Sequence, residues 1–287
     1  MSGKSVPTNK SDHGDLMTRN GRLSSRPGRL QDKVAFIAGG GSGIGEAAAL
    51  MFAREDASIA IGDIREDMAA AVATKVAAAG GEAMAIRMDV TDEVSVQGAF
   101  EAARARFGRL NVLFNTAGGS IPADAAIADV DMAVWSHTMN LDVKGTMLCC
   151  RHAIRLMLES GRGGAIVNMS SGAALRGSSS SHIYTAAKGA IVSFTRALAG
   201  TYAKDGIRVN ALCSGRINTE RIRQTYGIPG QRGKAHDPMQ VDEQVKTYPF
   251  WFGEPDDMAA IALFLASDES RMITGAAIPA DGGRSAY

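Results

Sequence analysis

The chain has 287 residues, of which 45% are hydrophobic and 21% charged, and its formal net charge is +1. This is enough apolar material for one large α/β domain. The near-neutral charge and the lack of Lys/Arg clusters argue against binding of nucleic acid or an anionic membrane surface. Its apolar runs are far shorter than the ~20 residues needed to cross a bilayer, so we predict no membrane span.

The N-terminal segment 1–28 is polar and lacks the apolar core of a secretory signal. We predict that it is a disordered tail, that residues 29–287 form one domain, and that the protein is cytoplasmic. Cys149, Cys150 and Cys213 form no C-x-x-C motif and are expected to be buried thiols. The histidines are scattered, so we predict no catalytic metal.

Short apolar runs alternate with longer amphipathic segments from Lys33 onward. Several runs are apolar throughout, which is typical of parallel strands covered on both faces. The alternation predicts a doubly wound parallel α/β sheet that binds ligands at the carboxyl ends of its strands. The predicted strands are 34–38, 58–62, 83–87, 111–115, 165–170, 207–213 and 276–280, and the clearest predicted helices are 66–80, 92–108 and 255–266.

One segment, from about 216 to 253, does not fit this alternation. It is long and polar, and it contains several glycines together with aromatic residues such as Tyr248 and Trp251. Long loops in compact domains are usually functional or disordered. We therefore predict a substrate lid, although a core role for these aromatic residues explains the composition equally well.

A glycine-rich loop, A-G-G-G-S-G-I-G, directly follows the first predicted strand. Gly39, Gly43 and Gly45 have the spacing G-x-x-x-G-x-G, with Ser42 and Ile44 between them, and a helix is predicted to begin at about Gly43. Glycine allows a close approach to a pyrophosphate, and the helix N-terminus is its positive end. A tight turn needs only one or two glycines. No Lys-Ser/Thr follows the loop, so it is not a P-loop.

Asp63 ends the second predicted strand, 18 residues beyond Gly45. A carboxylate here accepts hydrogen bonds from a ribose 2′-hydroxyl and repels a 2′-phosphate, which favours NAD over NADP. Arg65 could weaken that exclusion, but the glycine loop itself carries no basic residue. The alternative is that Asp63 only caps the following helix.

The stretch Y-T-A-A-K places Tyr184 and Lys188 one helical turn apart. Alone, this spacing is equally typical of a surface pair. Together with the preceding glycine loop and Asp63, it resembles the short-chain dehydrogenase/reductase family over about residues 29–283. The resemblance implies a single Rossmann-like domain.

Further motifs follow in the order of that family: M-D-V, N-T-A-G, M-N-L-D-V-K-G, N-M-S-S and R-V-N-A-L-C-S-G-R-I-N-T. By this resemblance the catalytic residues are Asn140, Ser171, Tyr184 and Lys188, and Ser170 is the weaker alternative to Ser171. The resemblance also implies cofactor contacts from Gly39, Ser42, Gly43, Ile44, Gly45, Asp63, Ile64, Asp89, Val90, Asn115, Ala117, Gly118, Tyr184, Lys188, Gly215, Ile217 and Thr219.

The sequence departs from the family pattern at several positions. Ala38 stands where the family mostly has a threonine whose hydroxyl braces the glycine loop. Thr116 replaces the second Asn of N-N-A-G, and Ser214 replaces the Pro of P-G. The loop also has the extra glycines 40 and 41. These changes concern the rigidity of the cofactor loop more than the chemical step.

The Tyr184/Lys188 pair suits hydride transfer between an alcohol carbon and a nicotinamide ring. The hydroxyl proton must leave as the hydride does, so a base must lie beside the oxygen. A phenol is a poor base near neutral pH, and a nearby cation favours its phenolate. Ser171 would hydrogen-bond the substrate oxygen. The resemblance implies that Asn140 holds a water molecule of a proton relay and that Thr219 contacts the carboxamide of the nicotinamide.

The sequence therefore predicts an NAD-dependent dehydrogenase that interconverts a secondary alcohol and a ketone. One alternative is an NADPH-dependent ketoreductase of the 3-oxoacyl carrier-protein reductase type, and another is a non-catalytic NAD-binding protein. A serine hydrolase is not supported because no G-x-S-x-G occurs. Segments 140–158 and 186–203 are apolar around much of their circumference, and the resembled family uses these helices in a tetramer interface. We predict a homotetramer.

Overall fold

The computed structural model describes residues 27–177, 179–226, 247–248 and 250–286. The predicted tail lies outside the described residues except for its last two positions, and there the Gly28 N–H donates to Asp56 Oδ2 at 2.9 Å. None of the described helices combines the length and the apolar character needed to cross a bilayer.

Seven parallel strands form the central sheet in the spatial order β3-β2-β1-β4-β5-β6-β9. Their order reverses between β1 and β4, as in a doubly wound sheet. This confirms the predicted fold class. The strands are β1 Val34–Ala38, β2 Ser58–Asp63, β3 Glu82–Arg87, β4 Val112–Asn115, β5 Gly164–Ser171, β6 Ile207–Ser214 and β9 Ala277–Ala280.

Helices connect the strands and cover both faces of the sheet. They are α1 Gly43–Arg54, α2 Glu66–Ala78, α3 Glu93–Phe107, α4 Ala133–Thr138, α5 Gly145–Ser160, α6 His182–Tyr202, α7 Glu220–Tyr226 and α8 Pro255–Ala266. A π-helical turn, Met139–Lys144, joins α4 to α5. Short 3-10 turns follow β5, α6 and α8.

Two large hydrophobic clusters, one on each face of the sheet, form most of the core, and a small third cluster contains Val192, Ala211 and Cys213. Successive strand residues point to opposite faces, so Phe36 and Ile37 of β1 enter different clusters. Phe36 stacks on Phe100 of α3 with ring centroids 4.1 Å apart. The cluster on the other face contains Phe52 of α1 and Leu263 of α8. Burial on both faces explains why the strand sequences are apolar throughout.

The carboxyl ends of the strands meet along one edge of the sheet. Ala38 lies opposite Gly62 on β2 and Asn115 on β4, and Ser171 lies opposite Ser214 on β6. The glycine loop, Asp63 and the N-terminus of α6 are connected to this edge. The predicted site residues are therefore brought together by the strand order.

The predicted lid segment is not wholly a loop. It includes β7 Arg216–Ile217, α7 and β8 Phe252–Gly253, and β7 and β8 form a separate parallel pair. Residues 227–246 and 249 lie outside the described residues. The lid stays a prediction.

Candidate active site

The glycine loop turns sharply between β1 and α1. Gly39 has φ of +85°, and a Cβ there would lie 2.6 Å from the Ala117 backbone nitrogen, so no other residue fits this turn without a shift. The helix that follows begins at Gly43, as predicted, with Ser42 as its N-cap residue. The positive end of α1 therefore faces the loop, where a phosphate would be stabilised.

Thr116 braces this loop from the neighbouring strand end. Its hydroxyl donates to the carbonyl oxygens of Ala38 and Gly39, at 2.8 and 2.9 Å. A threonine at position 38 would brace the loop from within β1. In this chain Thr116 of N-T-A-G therefore supplies the hydroxyl that Ala38 lacks.

Asp63 is buried at the end of β2 and holds both connecting loops. Its Oδ2 accepts from the Gly41 N–H at 2.9 Å, and its Oδ1 accepts from the Arg65 N–H at 3.0 Å. The Arg65 side chain donates to Ser42 Oγ at 3.0 Å and lies 3.8 Å from Asp63 Oδ1. The carboxylate thus faces the loop with a partly compensated charge.

A cavity of about 550 Å³ runs along this edge of the sheet. It is lined by twelve of the residues predicted to contact the cofactor: Gly39, Ser42, Gly43, Ile44, Gly45, Asp63, Ile64, Asp89, Val90, Ala117, Gly118 and Thr219. Of the remaining five, Tyr184 and Lys188 lie on α6, outside this lining, and the other three lie elsewhere. Asn115 is buried and its side-chain amide donates to Asn168 Oδ1 at 2.8 Å, whereas Gly215 and Ile217 line a second cavity of about 320 Å³.

Tyr184 and Lys188 lie on the first turns of α6, on one face of the helix. The Lys188 ammonium is 5.5 Å from the centroid of the Tyr184 ring and donates to the Met169 carbonyl of β5 at 3.2 Å. Ser171, at the end of β5, is 6% exposed and its Oγ accepts from the Ala173 N–H. Ser170 instead donates to the Lys188 carbonyl at 2.9 Å, so its hydroxyl is engaged in holding α6 to the sheet.

The structure does not place Asn140 beside this pair. Asn140 is exposed on the π-helical turn, and Asp142 occupies the inward position. An Oδ1 atom of Asp142 lies 2.7 Å from Lys188 Nζ and accepts from the Gly119 N–H at 3.1 Å. Asn140 faces away from the pair because two residues along a helix turn the side chain through about half a circle, and its predicted catalytic role stays a prediction.

Asp142 also sets the electrostatics of the buried lysine. Burial lowers the pKa of Lys188, but attraction to the Asp142 carboxylate opposes this effect, with smaller contributions from Tyr184 and from the hydrogen bond to Asp142. The net pKa of Lys188 is raised above its ordinary value of 10.5, despite a further lowering by Arg221. The ammonium is therefore charged over the whole range of physiological pH.

Two residues that contact the site, Asp124 and Arg221, lie outside the sequence motifs. Asp124, in the loop after β4, is buried and accepts from the N–H groups of Ile183 and Tyr184 at 3.2 and 2.7 Å. Arg221 of α7 lines the large cavity and donates to the Ser120 carbonyl at 3.0 Å. Asp142 could have been found from periodicity, because it lies three residues before Gly145 and so continues the buried stripe of the following helix, which includes Gly145, Cys149, Ala153 and Met157.

No group of three or more His, Cys, Asp or Glu side chains within the described part of the chain is arranged to hold a metal ion. Cys149, Cys150 and Cys213 are free and buried, as predicted. Burial raises the pKa of each thiol, so none is a ready nucleophile near neutral pH.

Comparison with known proteins places this geometry in a family. The family model described as Enoyl-(Acyl carrier protein) reductase matches residues 38–285. The chain is 37% identical to 2-(S)-hydroxypropyl-CoM dehydrogenase 3 of Xanthobacter autotrophicus, over 90% of this chain and 98% of that protein. It is also 37% identical to cis-4-hydroxycyclohexanecarboxylate dehydrogenase of Sinomonas cyclohexanicum, over 89% and 97% of the two chains.

A solved structure shows the same fold with a cofactor. The short-chain dehydrogenase of Mycobacterium paratuberculosis bound to NAD superposes with a TM-score of 0.79 at 30% identity, covering 91% of this chain and 100% of that chain. The resemblance drawn from the motifs is thus confirmed along nearly the whole described domain. The chain belongs to the short-chain dehydrogenase/reductase family.

Proposed function

We propose that this protein is an NAD-dependent dehydrogenase that interconverts a secondary alcohol and a ketone, with Tyr184 as the general acid/base. The observation that carries the proposal is the Lys188 ammonium held 5.5 Å from the Tyr184 ring centroid, beside the carboxyl edge of the sheet. The dehydrogenases named above, which are similar over their whole length, support this reaction class.

The described residues suit a dinucleotide. Gly39, Gly43 and Gly45 line the large cavity at the positive end of α1, where a pyrophosphate would be stabilised. Asp63, Asp89 and Val90 would hold the adenosine half, and Thr219 would contact the nicotinamide half. When bound, the nicotinamide ring takes up or releases the hydride.

The protein groups handle the proton and the substrate oxygen. In the oxidation direction, the Tyr184 oxygen accepts the hydroxyl proton as the carbonyl forms, and in reduction it returns that proton. Lys188 stabilises the phenolate through its charge. The Ser171 hydroxyl lies at the adjacent strand end and would donate a hydrogen bond to the substrate oxygen, stabilising the charge that develops there.

We infer that the substrate is a small cyclic or aromatic secondary alcohol. Support comes from the second cavity, which is lined by Phe250, Trp251 and Phe252 next to Gly215, and from the cyclic substrate named for one relative. We propose that the 216–253 segment closes over this substrate. A cytoplasmic location stays a prediction from the sequence, as does the homotetramer.

One observation favours NADP as a second candidate cofactor. Arg65 lines the large cavity next to Asp63, and its exposed guanidinium could pair with a 2′-phosphate. We favour NAD because the Asp63 carboxylate, which the structure buries facing the loop, would repel that phosphate.

The experiment is a nicotinamide absorbance assay with cis-4-hydroxycyclohexanecarboxylate, cyclohexanol and 1-phenylethanol, each with NAD and with NADP. We expect turnover of at least one alcohol, with the higher kcat/KM for NAD. Tyr184→Phe should reduce kcat by about 10²-fold or more, because it removes the proton acceptor but not the ring.

Binding of NAD to the Tyr184→Phe variant provides the control. Calorimetric titration should show an affinity close to that of the parent protein, since the phenol oxygen acts on the substrate. Undiminished turnover by the variant would refute the assignment of Tyr184. Preference for NADP would transfer the proposal to the ketoreductase alternative.

A further inference from the structure

Asp142 and Lys188 form a buried ion pair at the centre of the site. The side chains are 0% and 5% exposed, and the distance from Asp142 Oδ1 to Lys188 Nζ is 2.7 Å. The second carboxylate oxygen, Oδ2, is also buried and takes no hydrogen bond from the described residues. The lysine charge is therefore the main compensation for the carboxylate.

The backbone is shaped to admit this carboxylate. Gly118 has φ of +132°, and a Cβ at that position would collide with Asp142 Oδ1. The π-helical turn, a feature common at functional sites, lets Asp142 and Val143 face inward between α4 and α5. The glycine at position 118 and the π-helical turn both allow the Asp142 carboxylate to lie beside the Lys188 ammonium.

We propose that Asp142 is a positioning residue that keeps Lys188 protonated and aimed at the Tyr184 ring during the reaction. This inference rests on the proposed function. An amide in the same place could orient the ammonium through a hydrogen bond but would supply no charge. The carboxylate fixes both the direction and the protonation of the lysine.

The groups around Lys188 determine whether loss of Asp142 raises or lowers the pKa of the lysine. The charged or titratable groups that face it are Asp142 on the π-helical turn, Tyr184 on its own helix and Arg221 on α7. Only Asp142 is a carboxylate, and burial opposes the charged form of the lysine. Without Asp142, desolvation dominates and the pKa of Lys188 falls.

Asp142→Asn tests this through stability, with no need for turnover. In the parent protein the pKa of folded Lys188 is raised, so the stability it contributes is complete below pH 10.5 and is lost as pH rises through the folded pKa. In the variant the folded pKa lies below 10.5, so stability increases as pH rises towards that value.

We expect Asp142→Asn to melt about 10 °C below the parent protein at pH 7, with a difference that shrinks steadily towards pH 10. In a Lys188→Met background the same substitution should show no such dependence on pH. Asn140→Ala, on the exposed side of the same turn, should melt at a constant interval from the parent. A difference for Asp142→Asn that does not change with pH would overturn the inference.

Activity provides the second readout. With cis-4-hydroxycyclohexanecarboxylate and NAD, the alkaline limb of the kcat profile of Asp142→Asn should move to lower pH by about one unit or more. An unmoved limb with a uniformly lower kcat would mean that Asp142 is only structural. If Asp142→Asn does not fold, Asp142→Ala replaces it, because it removes the same charge without adding bulk. The same results are expected of it, and the same results would overturn the inference.

If the parent protein turns over no alcohol, the proposed function fails. The melting experiment still tests the inference about Asp142.

Discussion

At the residue scale, Thr116 shows how a departure from a family pattern becomes intelligible through contacts. The sequence has no hydroxyl at Ala38, and Thr116, directly after β4, supplies one by donating to the carbonyls of Ala38 and Gly39 at 2.8 and 2.9 Å. The glycine loop can therefore keep its shape with alanine in the first strand. The motif alone predicts a looser loop, because it does not show that the two positions touch.

Thr116→Val is expected to weaken NAD binding by about five- to tenfold, because valine keeps the shape but removes a donor from the partly buried carbonyls of Ala38 and Gly39. The measurement is the Kd of NAD by calorimetric titration. Thr116→Ser keeps the hydroxyl and is the matched control, expected to bind within about twofold of the parent protein. Equal affinity of the valine and serine variants would show that the hydroxyl does not brace the loop.

Asp142 is the residue beside Lys188 that the motif by itself did not predict. The sequence places an Asn and an Asp two residues apart in M-N-L-D-V-K-G, and a family pattern favours the Asn. The motif does not specify which of the two faces the lysine, whereas the spacing of the buried residues of α5 extends to Asp142 and not to Asn140. Asp63 could be placed from the sequence because it ends a strand, and Tyr184 and Lys188 could be placed on one helix face because of their spacing.

At the element scale, α6 carries the proposed catalytic pair, Tyr184 and Lys188, but its own N-cap side chain makes no capping hydrogen bond. The N-cap residue, Ser181, makes no side-chain bond, and the carboxylate of Asp124 accepts from the N–H groups of Ile183 and Tyr184 instead. The His182 ring also accepts from the Ile127 N–H at 3.0 Å. The loop after β4 thus fixes the start of the helix that positions Tyr184.

Asp124→Ala should lower the free energy of unfolding by about 1–2 kcal/mol, since the N–H groups of Ile183 and Tyr184 lose their acceptor and the helix loses a favourable charge at its positive end. It should also lower kcat, because Tyr184 lies in the affected turn. Urea unfolding and the alcohol assay measure the two effects.

The matched control is Asp131→Ala, which removes the exposed carboxylate that accepts from the Ala133 N–H at the start of α4. It should destabilise the fold by a similar or smaller amount without reducing kcat. If both variants lowered kcat equally, the cap on α6 would have no special part in placing Tyr184.

Strands were easier to predict than the connections between them. β1 has the predicted bounds. Each of the other six strands of the sheet differs from its predicted bounds by one residue, at one end or, in β5, at both ends. The bounds were predictable because burial on both faces leaves an uninterrupted apolar run. The 216–253 segment was predicted as a loop because its polar composition hides short elements. β7 and β8 have only two residues each and are held by pairing with one another, which no local pattern reveals.

At the scale of the whole molecule, the predicted homotetramer cannot be argued from the apolar residues of α5 on which the sequence analysis relied. Cys149, Cys150, Ala153 and Met157 of α5 are apolar, but the structure buries them within the core of this chain. They say nothing about a partner. The outer faces of the two helices are the relevant surfaces.

Those outer faces suit close packing against another copy. On α6, an exposed or half-exposed stripe consists only of small residues: Ala186, Gly189, Ser193, Ala197 and Gly200. A Cβ added at Gly189 or Gly200 would meet nothing within 4 Å. On α5, Met147 and Leu158 are 41% and 42% exposed and lie on one face, three turns apart. Small residues let helix axes approach closely, and the two apolar side chains gain from burial.

We therefore expect a homotetramer, measurable as the mass in solution by light scattering. Ala197→Glu should reduce that mass, because it places a charge in the middle of the small-residue stripe where two helices would meet. Ala71→Glu, on the exposed face of α2, is the control and should leave the mass unchanged. A parent protein with the mass of a monomer would contradict the prediction, and a variant that stays tetrameric would locate the interface on another surface.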